Sequence, residues 1–426
     1  VDCDVVVVGA GLAGLECARS LFRRGLAVEV LEASDAVGGR VRTDRVDGFL
    51  VDRGFQVINP AYPALRSLVD VGALDLKPFA AGLGVRRRDG IHVLADPRRS
   101  PTRLGATLRS GYVRPLELAR LAGWVAPCLG PVSRLLDADD VPLLESRTAA
   151  GVDGHLWREV LEPFLAGVIA ERDGSTSTAF VRLLLRSFLL GTPGVPALGV
   201  GALPHQLAAS LDVRLDTPVR SVTTSGDGAV VQTDDGPVMA RAVVVATDPR
   251  TAGRLTPLAP ARMRGFVTAW FGVDEAPWTE PLILVDGRQD SDRPVGTSPG
   301  PVVNTAVMSN AAPSYAPPGR HLVQATSLLD HGAPAPTESQ VRRHVGELYA
   351  ADATSWDLLA WQEIPHAVTA QPAPLAVRQP VDLGDGLFVC GDHRDTASIQ
   401  GALVSGHRTA RLVARRLGSA PLSTPS

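Results

Sequence analysis

The chain opens on Asp4–Val8, a run of branched apolar residues without alternation, the pattern of a strand buried on both faces of a parallel sheet. Gly9-Ala10-Gly11-Leu12-Ala13-Gly14 follows. Apolar residues then recur at helical spacing (Leu15, Ala18, Leu21) through Arg24, and Gly25 is placed to stop the helix. Ala27–Leu31 is a second apolar strand that finishes on Glu32. Strand, glycine turn, helix and strand within about thirty residues make a βαβ unit.

Further along, the periodicity changes. Leu83–Asp96 alternates like a hairpin turning at Arg88-Asp89-Gly90, while Thr102–Leu136 and Leu156–Leu190 carry helical spacing interrupted by Pro and Gly. Residues 213–247 return to short strands, with turns at Gly226-Asp227-Gly228 and Asp234-Asp235-Gly236, and end in the apolar run Ala242–Val245. A mixed stretch, 251–374, holds strand-like segments and a helix at Glu338–Ala350. Gly386–Leu417 is again strand, turn and helix, and the Ser- and Pro-rich tail 418–426 reads as disordered.

Composition narrows the class. The 426 residues suit two domains better than one. A net charge of -3 gives no electrostatic case for nucleic-acid binding. The four cysteines (Cys3, Cys17, Cys128, Cys390) are scattered, with no metal-ligand spacing, so no metal is expected. Free thiols suit a reducing compartment, and the expectation is a cytoplasmic protein. The run Val5–Val8 leads straight into a glycine turn, which reads as a strand and not as a leader, and no apolar run of about twenty residues predicts a membrane span. Lys77 is the only lysine.

The glycine turn carries the first chemistry. Gly9 permits a tight strand-to-helix turn, Gly11 lets backbone approach a pyrophosphate, and Gly14 allows close packing of helix on strand. The helix opening at Leu12 and Ala13 points free N–H groups at that phosphate. Glu32, 18 residues after Gly14 and followed by Ala33, would accept hydrogen bonds from ribose hydroxyls. Just beyond, Gly38-Gly39-Arg40 offers two glycines for close passage and a guanidinium fork for phosphate oxygens.

With Gly38-Gly39-Arg40-Val41-Arg42-Thr43 and Asp52-Arg53-Gly54, the stretch Val5–Gly54 resembles the flavin-containing amine oxidase superfamily. The pattern is most similar to its phytoene desaturase and protoporphyrinogen oxidase-like branch. The resemblance implies an α/β protein: a discontinuous Rossmann-like FAD-binding domain (1–75, 195–250 and 375–417) with an α+β substrate domain (76–194 and 251–374). It implies that Arg40 contacts the FAD pyrophosphate and that Arg53, Gly54, Phe55 and Gln56 lie beside the isoalloxazine. Gly199–Pro204 matches a glycine-rich approach to the second half of that domain, Val219 sits where backbone holds adenine, and Ala246 ends a strand re-entering it. Near the C-terminus Gly391 and Asp392 would meet the ribityl or pyrophosphate region. Ser398, Ile399, Gln400 and Ala402 open a helix whose N–H groups would face the flavin pyrimidine edge.

The substrate is less legible. Many relatives carry a lysine in the substrate half, and this chain has none after Lys77. Leu161–Val168, Ser175–Ser177 and Ile364–Ala367 look like the desaturase branch, which takes apolar substrates and works at membranes. The expectation is therefore FAD-dependent dehydrogenation of a hydrophobic small molecule. A flavin-dependent amine oxidase and a non-catalytic flavin-binding protein stand as alternatives. Leu116–Leu136 reads as a packed helix first and as a lipid-facing entrance second, which leaves peripheral contact with the inner face of a membrane open. Arg53, Gln56, His366 and His393 are the candidate catalytic residues.

Overall fold

The computed structural model describes residues 2–225, 228–288, 299–329 and 332–418. The turn expected at Gly226-Asp227-Gly228 lies partly outside these residues, as does the tail from residue 419.

A seven-stranded sheet forms around the opening strand. Cys3–Val8 pairs in parallel with Val28–Leu31 on one side and with Gly236–Val245 on the other, and Val213–Arg214 extends the Val28–Leu31 edge. Gly236–Val245 does two jobs along its length. Its first half closes an antiparallel ribbon with Gly228–Thr233, which pairs in turn with Val219–Ser225; residues 243–245 pair in parallel with Leu387–Val389. Three distant stretches of chain thus build one sheet, and its parallel strands end side by side at Val8, Leu31, Val245 and Val389.

Alternate residues bury on opposite faces, as a strand dictates. Val5, Val7 and Val30 pack under the helices Leu12–Phe22 and Ile399–Arg416, while Val6, Val8 and Leu31 pack with Val231, Val238 and Leu255. The two helices touch closely: a side chain at Gly406 would run into the backbone of Ala13. Glu16, buried between them, accepts from Ser20 Oγ at 2.8 Å and from Arg19 at 2.6 Å and faces His407 Nδ1 at 3.2 Å. The helices begin and end within three residues of the sequence expectation, the first at Leu12 because the glycine turn itself opens it.

A second seven-stranded sheet runs Asp357–Thr369, Met263–Val273, His321–Leu329, Val302–Val307, Ile283–Asp286, Gly82–Arg87, Gly90–Ala95. It is antiparallel except between Ile283–Asp286 and Gly82–Arg87. One face packs Ala269, Phe271, Val323 and Ala325 against Val341, Val345 and Leu348 of the helix Glu338–Tyr349, whose Thr337–Gln340 capping box starts it. The other face turns toward the first sheet.

The segment expected as helical over Thr102–Leu136 is broken into Leu104–Arg109, Pro115–Val125, Val132–Leu136 and two single 3-10 turns. Pro115, Pro127 and Pro131 each lack the N–H that a continuous helix needs, which accounts for the breaks. Trp124 packs inward, edge-to-face on Trp157 at 5.7 Å, while Leu116 and Leu129 stay exposed at 65% and 64%. No helix among the described residues is long and apolar enough to cross a membrane.

Candidate functional site

Where the parallel strands of the first sheet end, the chain turns away and leaves a crevice, the position at which open α/β sheets take ligands. Val8, Gly9, Leu31, Glu32, Ala246 and Gly391 all line a cavity of about 650 Å³ there. It continues between the two sheets to the inward face of the second.

The glycine turn is shaped for an anion. Gly9 has φ +106°, open to glycine alone without strain, and its N–H closes the turn on Leu31 O at 2.8 Å. The helix Leu12–Phe22 has Gly11 as its N-cap and no capping side chain, so its first N–H groups have no partner from a cap, and Gly11, Leu12 and Ala13 stand on the cavity wall. Gly14 does not reach the cavity. A Cβ there would collide with Gly9 O and press Ala246 Cβ, so this glycine serves the helix–strand contact. Glu32 braces the turn: Ala10 N donates to one carboxylate oxygen at 2.7 Å, and Ser34 N and Oγ donate to the other at 3.0 and 2.7 Å. Ala33 lines the wall beside it.

The second glycine turn folds against the first. Gly38 N donates to Ala10 O at 2.8 Å, and a Cβ on Gly39 would meet Gly11 Cα at 3.3 Å. This brings Arg40 to Asp392: Nη2 donates to Oδ1 at 2.6 Å, and Nη1 donates to Ala367 O at 2.9 Å. Burial pushes the Asp392 carboxyl up, but the charge and hydrogen bonds of Arg40 outweigh it and hold the group below the ordinary aspartate value. Asp248, also on the wall, is held low against burial by the N–H and hydroxyl of Thr251.

At the far side, Ser398 caps the 18-residue helix Ile399–Arg416 by accepting from Gly401 N at 3.0 Å. Ser398, Ile399 and Ala402 line the cavity, so the positive end of this helix dipole faces it. Gln400 does not; its Oε1 accepts from Ala64 N at 2.9 Å. Val219 lies on the wall with Thr217, Pro218, Arg254 and Leu255.

The four residues expected to act in catalysis do not converge. Arg53 lines the cavity, but its guanidinium holds Asp44 through Nε and Nη2 at 2.9 and 3.1 Å. Gln56 also lines it, with Nε2 donating to Arg40 O and Arg53 O at 2.7 and 3.1 Å, so this amide clips two turns together. His366 is not on the cavity wall; its Nε2 accepts from Arg250 at 2.6 Å. His393 is buried behind Gly391 with both ring nitrogens unpartnered, and burial drives its pKa down to about 4. The spacing of these residues from glycine motifs carried no information on side-chain direction. Gly54 and Phe55 do stand on the wall; Gly54 N donates to Gln362 Oε1 at 2.8 Å, and Phe55 meets Phe79 edge-to-face at 6.2 Å.

What the sequence did not reveal is the inner wall. Phe164, Phe180, Leu184, Phe188, Phe266 and Ile283 close the cavity between the sheets, with Asn304 and Thr326 as its polar members. Phe180, Leu184 and Phe188 share one face of the helix Thr178–Leu190, and the others come from a second helix and from strands of the second sheet; each has ordinary core periodicity, so no local motif marks them. Every charged residue on the wall (Glu32, Arg40, Arg53, Arg220, Asp248, Arg254, Asp392) belongs to the other part. The arrangement suits a long, charged, phosphate-bearing ligand at the strand ends and an apolar molecule beyond it.

The profile of the flavin containing amine oxidoreductase family matches residues 12–414. Putrescine oxidase of Kocuria rosea is 30% identical over 292 residues, covering 60% of this chain and 59% of that protein, so the chain spans less than two thirds of that relative's length. Hydroxysqualene dehydroxylase of Rhodopseudomonas palustris is 29% identical over 96% of this chain and 98% of its own. Among solved structures, an oxidoreductase from Methanosarcina mazei superposes with a TM-score of 0.73 at 16% identity, covering 96% of this chain and 100% of that one. That likeness establishes the shared fold.

Proposed function

The chain belongs to the flavin containing amine oxidoreductase family, with FAD as its cofactor, and on that premise we propose that it dehydrogenates a hydrophobic small molecule by hydride transfer to the flavin. The observation that carries this reading is the inner wall of the cavity, built from Phe164, Phe180, Leu184, Phe188, Phe266 and Ile283, with no charged side chain among them. An ammonium buried there would lack a counter-charge, whereas a hydrocarbon gains about 25 cal/mol for each Å² taken out of water.

In this reading the uncapped helix start at Gly11, Leu12 and Ala13 holds the pyrophosphate with Arg40. Glu32 and Ala33 receive a ribose, and Val219 and Ala246 flank the adenine. Gly391, Asp392, Ser398, Ile399 and Ala402 hold the distal half, and Gly54, Phe55 and Gln56 border the substrate chamber. The uncapped helix start, and the bare backbone of Gly11 on the cavity wall, where a Cβ would occupy open space, support the fit. The division into an FAD-binding domain (1–75, 195–250, 375–417) and a substrate domain is part of the proposal, supported by the three-segment origin of the first sheet.

Bound FAD supplies a two-electron acceptor for hydride. The residues of the chamber orient the substrate. None of them accepts a proton: the one phenol on the wall, Tyr62, is pushed by burial up to about 12 and stays neutral. The substrate's proton therefore leaves to solvent.

The test is anaerobic mixing of the FAD-loaded protein with polyenes or porphyrinogens on one side and putrescine on the other, followed by flavin absorbance. Bleaching by the apolar donors is expected. Bleaching by putrescine alone would replace this reading with an amine oxidase, a second reading favoured by the four phenyl rings of the inner wall, whose faces attract cations. No bleaching by any donor would leave a flavin-binding protein without this chemistry.

A further inference from the structure

Four strands of the second sheet carry one row of polar side chains across a face that is otherwise apolar. Gln362 pairs in register with Thr268, Thr268 with Thr326, and Thr326 with Asn304. A register shift between Val302 and Asn304 is what brings Asn304 opposite Thr326. Gln324, two residues before Thr326 and so on the same face, joins the row. Thr268, Gln324, Thr326 and Asn304 are 0%, 0%, 3% and 5% exposed. Burying four polar side chains beneath a phenylalanine-lined chamber is costly unless each has a partner.

Following the hydrogen bonds assigns a direction to the row. Thr326 Oγ1 donates to Gln324 Oε1 at 3.0 Å, so the Gln324 amide turns its Nε2 to Asn304 Oδ1, at 3.1 Å. Thr326, its proton committed, accepts from Thr268 Oγ1 at 3.3 Å. The carbonyl of Asn304 is satisfied from inside the sheet and its Nδ2 is left over. That nitrogen has no protein partner among the described residues. It faces Gly167 on the cavity wall, where a side chain would run into it, and Asn304 itself lines the cavity. The row ends in a pair of N–H donors offered to the chamber.

We infer that Asn304 determines substrate specificity: its Nδ2 donates a hydrogen bond to one oxygen acceptor (carbonyl, hydroxyl or ether) on an otherwise hydrocarbon substrate. This rests on the chamber proposed above as the substrate site and names the substrate class. An amide N–H can bond an oxygen lone pair, but it repels an ammonium, which has only donors. A site built to hydrogen-bond one group rejects the analogue that leaves the donor unpaired, so the row reads oxygen against both plain hydrocarbon and amine.

The experiment titrates the FAD-loaded protein with decan-2-one and with decylamine, following the flavin absorption spectrum for Kd, in wild type, Asn304→Leu and Asn304→Asp. Loss of one hydrogen bond predicts that Asn304→Leu weakens decan-2-one by about ten-fold and leaves decylamine no weaker. Asn304→Asp, which keeps the shape and offers acceptors only, should reverse the preference in favour of decylamine, and it serves if the leucine variant fails to fold. Unchanged decan-2-one affinity in the variants, no binding of either probe by wild type, or stronger decylamine binding by wild type would each overturn the inference. Asn304-dependent binding in a protein whose flavin no apolar donor bleaches would overturn the dehydrogenase reading alone. Bleaching by apolar donors with no dependence on Asn304 would overturn this inference alone.

Discussion

Replacing Arg40 by glutamine leaves the carboxylate of Asp392 without its charged partner, keeping the Thr369 hydroxyl at 3.3 Å, because the two Arg40 hydrogen bonds at 2.6 and 2.9 Å are what tie Asp392 to Ala367 across the cavity. Asp392 is 5% exposed, and breaking a buried pair from one side costs about 3–5 kcal/mol. About a third of the Arg40 side chain reaches solvent, which screens the pair, so Arg40→Gln should cost about 3 kcal/mol, the lower end. Asp392→Asn should cost less, about 1 kcal/mol, since Arg40 keeps the Ala367 carbonyl and solvent. The double variant removes both charges, and its loss should fall short of the sum by about 1–2 kcal/mol. The assay is urea denaturation of the four proteins at equal FAD content. The pH dependence gives an independent check. In wild type the Asp392 carboxyl is held low, so its contribution is present above the unfolded value near 4 and lost as pH falls through the folded one. In Arg40→Gln burial is opposed only by the weaker interactions with Thr369 and His393, and the folded value rises above the unfolded one. Protonation then relieves the defect, so the stability gap between wild type and Arg40→Gln should narrow as pH is lowered from about 7 toward 4. Additive losses, or a gap that stays constant with pH, would refute the coupling.

Asp52, buried under Thr43, Tyr315 and Val200 N, is pushed up to about 6, chiefly by burial. A raised carboxyl adds stability below its unfolded value near 4 that is lost as pH rises through about 6, about 3 kcal/mol in all; thermal melts of wild type should fall between pH 4 and 7 while those of Asp52→Asn stay flat. His393→Leu should retain FAD and leave the pH profile of flavin reduction unchanged between pH 5 and 9, and a lost ionisation in that range would restore His393 as an acid–base group. Phe188→Asp places a carboxylate on the apolar wall, and should weaken hydrophobic donors by more than about ten-fold while flavin content holds; unchanged apparent affinity would place the substrate elsewhere.

The legible part of this protein is the part where backbone makes the site. Gly9, Gly14, Gly38 and Gly39 mark places where a Cβ has no room or the backbone bends left-handed, while at Gly11 a Cβ would stand in open space on the cavity wall, and a glycine in sequence reports both directly. The apolar run Val5–Val8 and the acidic strand end at Glu32 are legible for the same reason, since a parallel strand and its terminus are local. The illegible part is where side chains from distant segments meet. His366 and His393 sit next to recognisable motifs, yet the local chain turns one toward Arg250 and the other behind Gly391. Asn304 and Thr326, in contrast, stand in strands where nearly every residue is buried, and only the register of the sheet sets them side by side. Alternation cannot flag a face when both faces are covered.

The two sheets divide the work by their geometry. Parallel strands end together, so they can supply backbone donors and helix termini to one charged ligand. An antiparallel sheet has no such common end, but it offers a broad face on which side chains from four strands form a continuous wall. The division requires that the halves keep a fixed spacing, and hydrogen bonds cross between them. Arg40 reaches Ala367, Gly54 N reaches Gln362 Oε1, and that same oxygen accepts from Trp270 Nε1 at 3.2 Å. Gln362 begins the polar row that ends at Asn304, so the segment Arg53–Gln56 and the Asn304 amide are linked to the same sheet face. On the proposed reading, a ligand that orders Gly54 acts through the Gln362 side chain on the sheet that carries the apolar wall, which would tie the placement of cofactor to the placement of substrate.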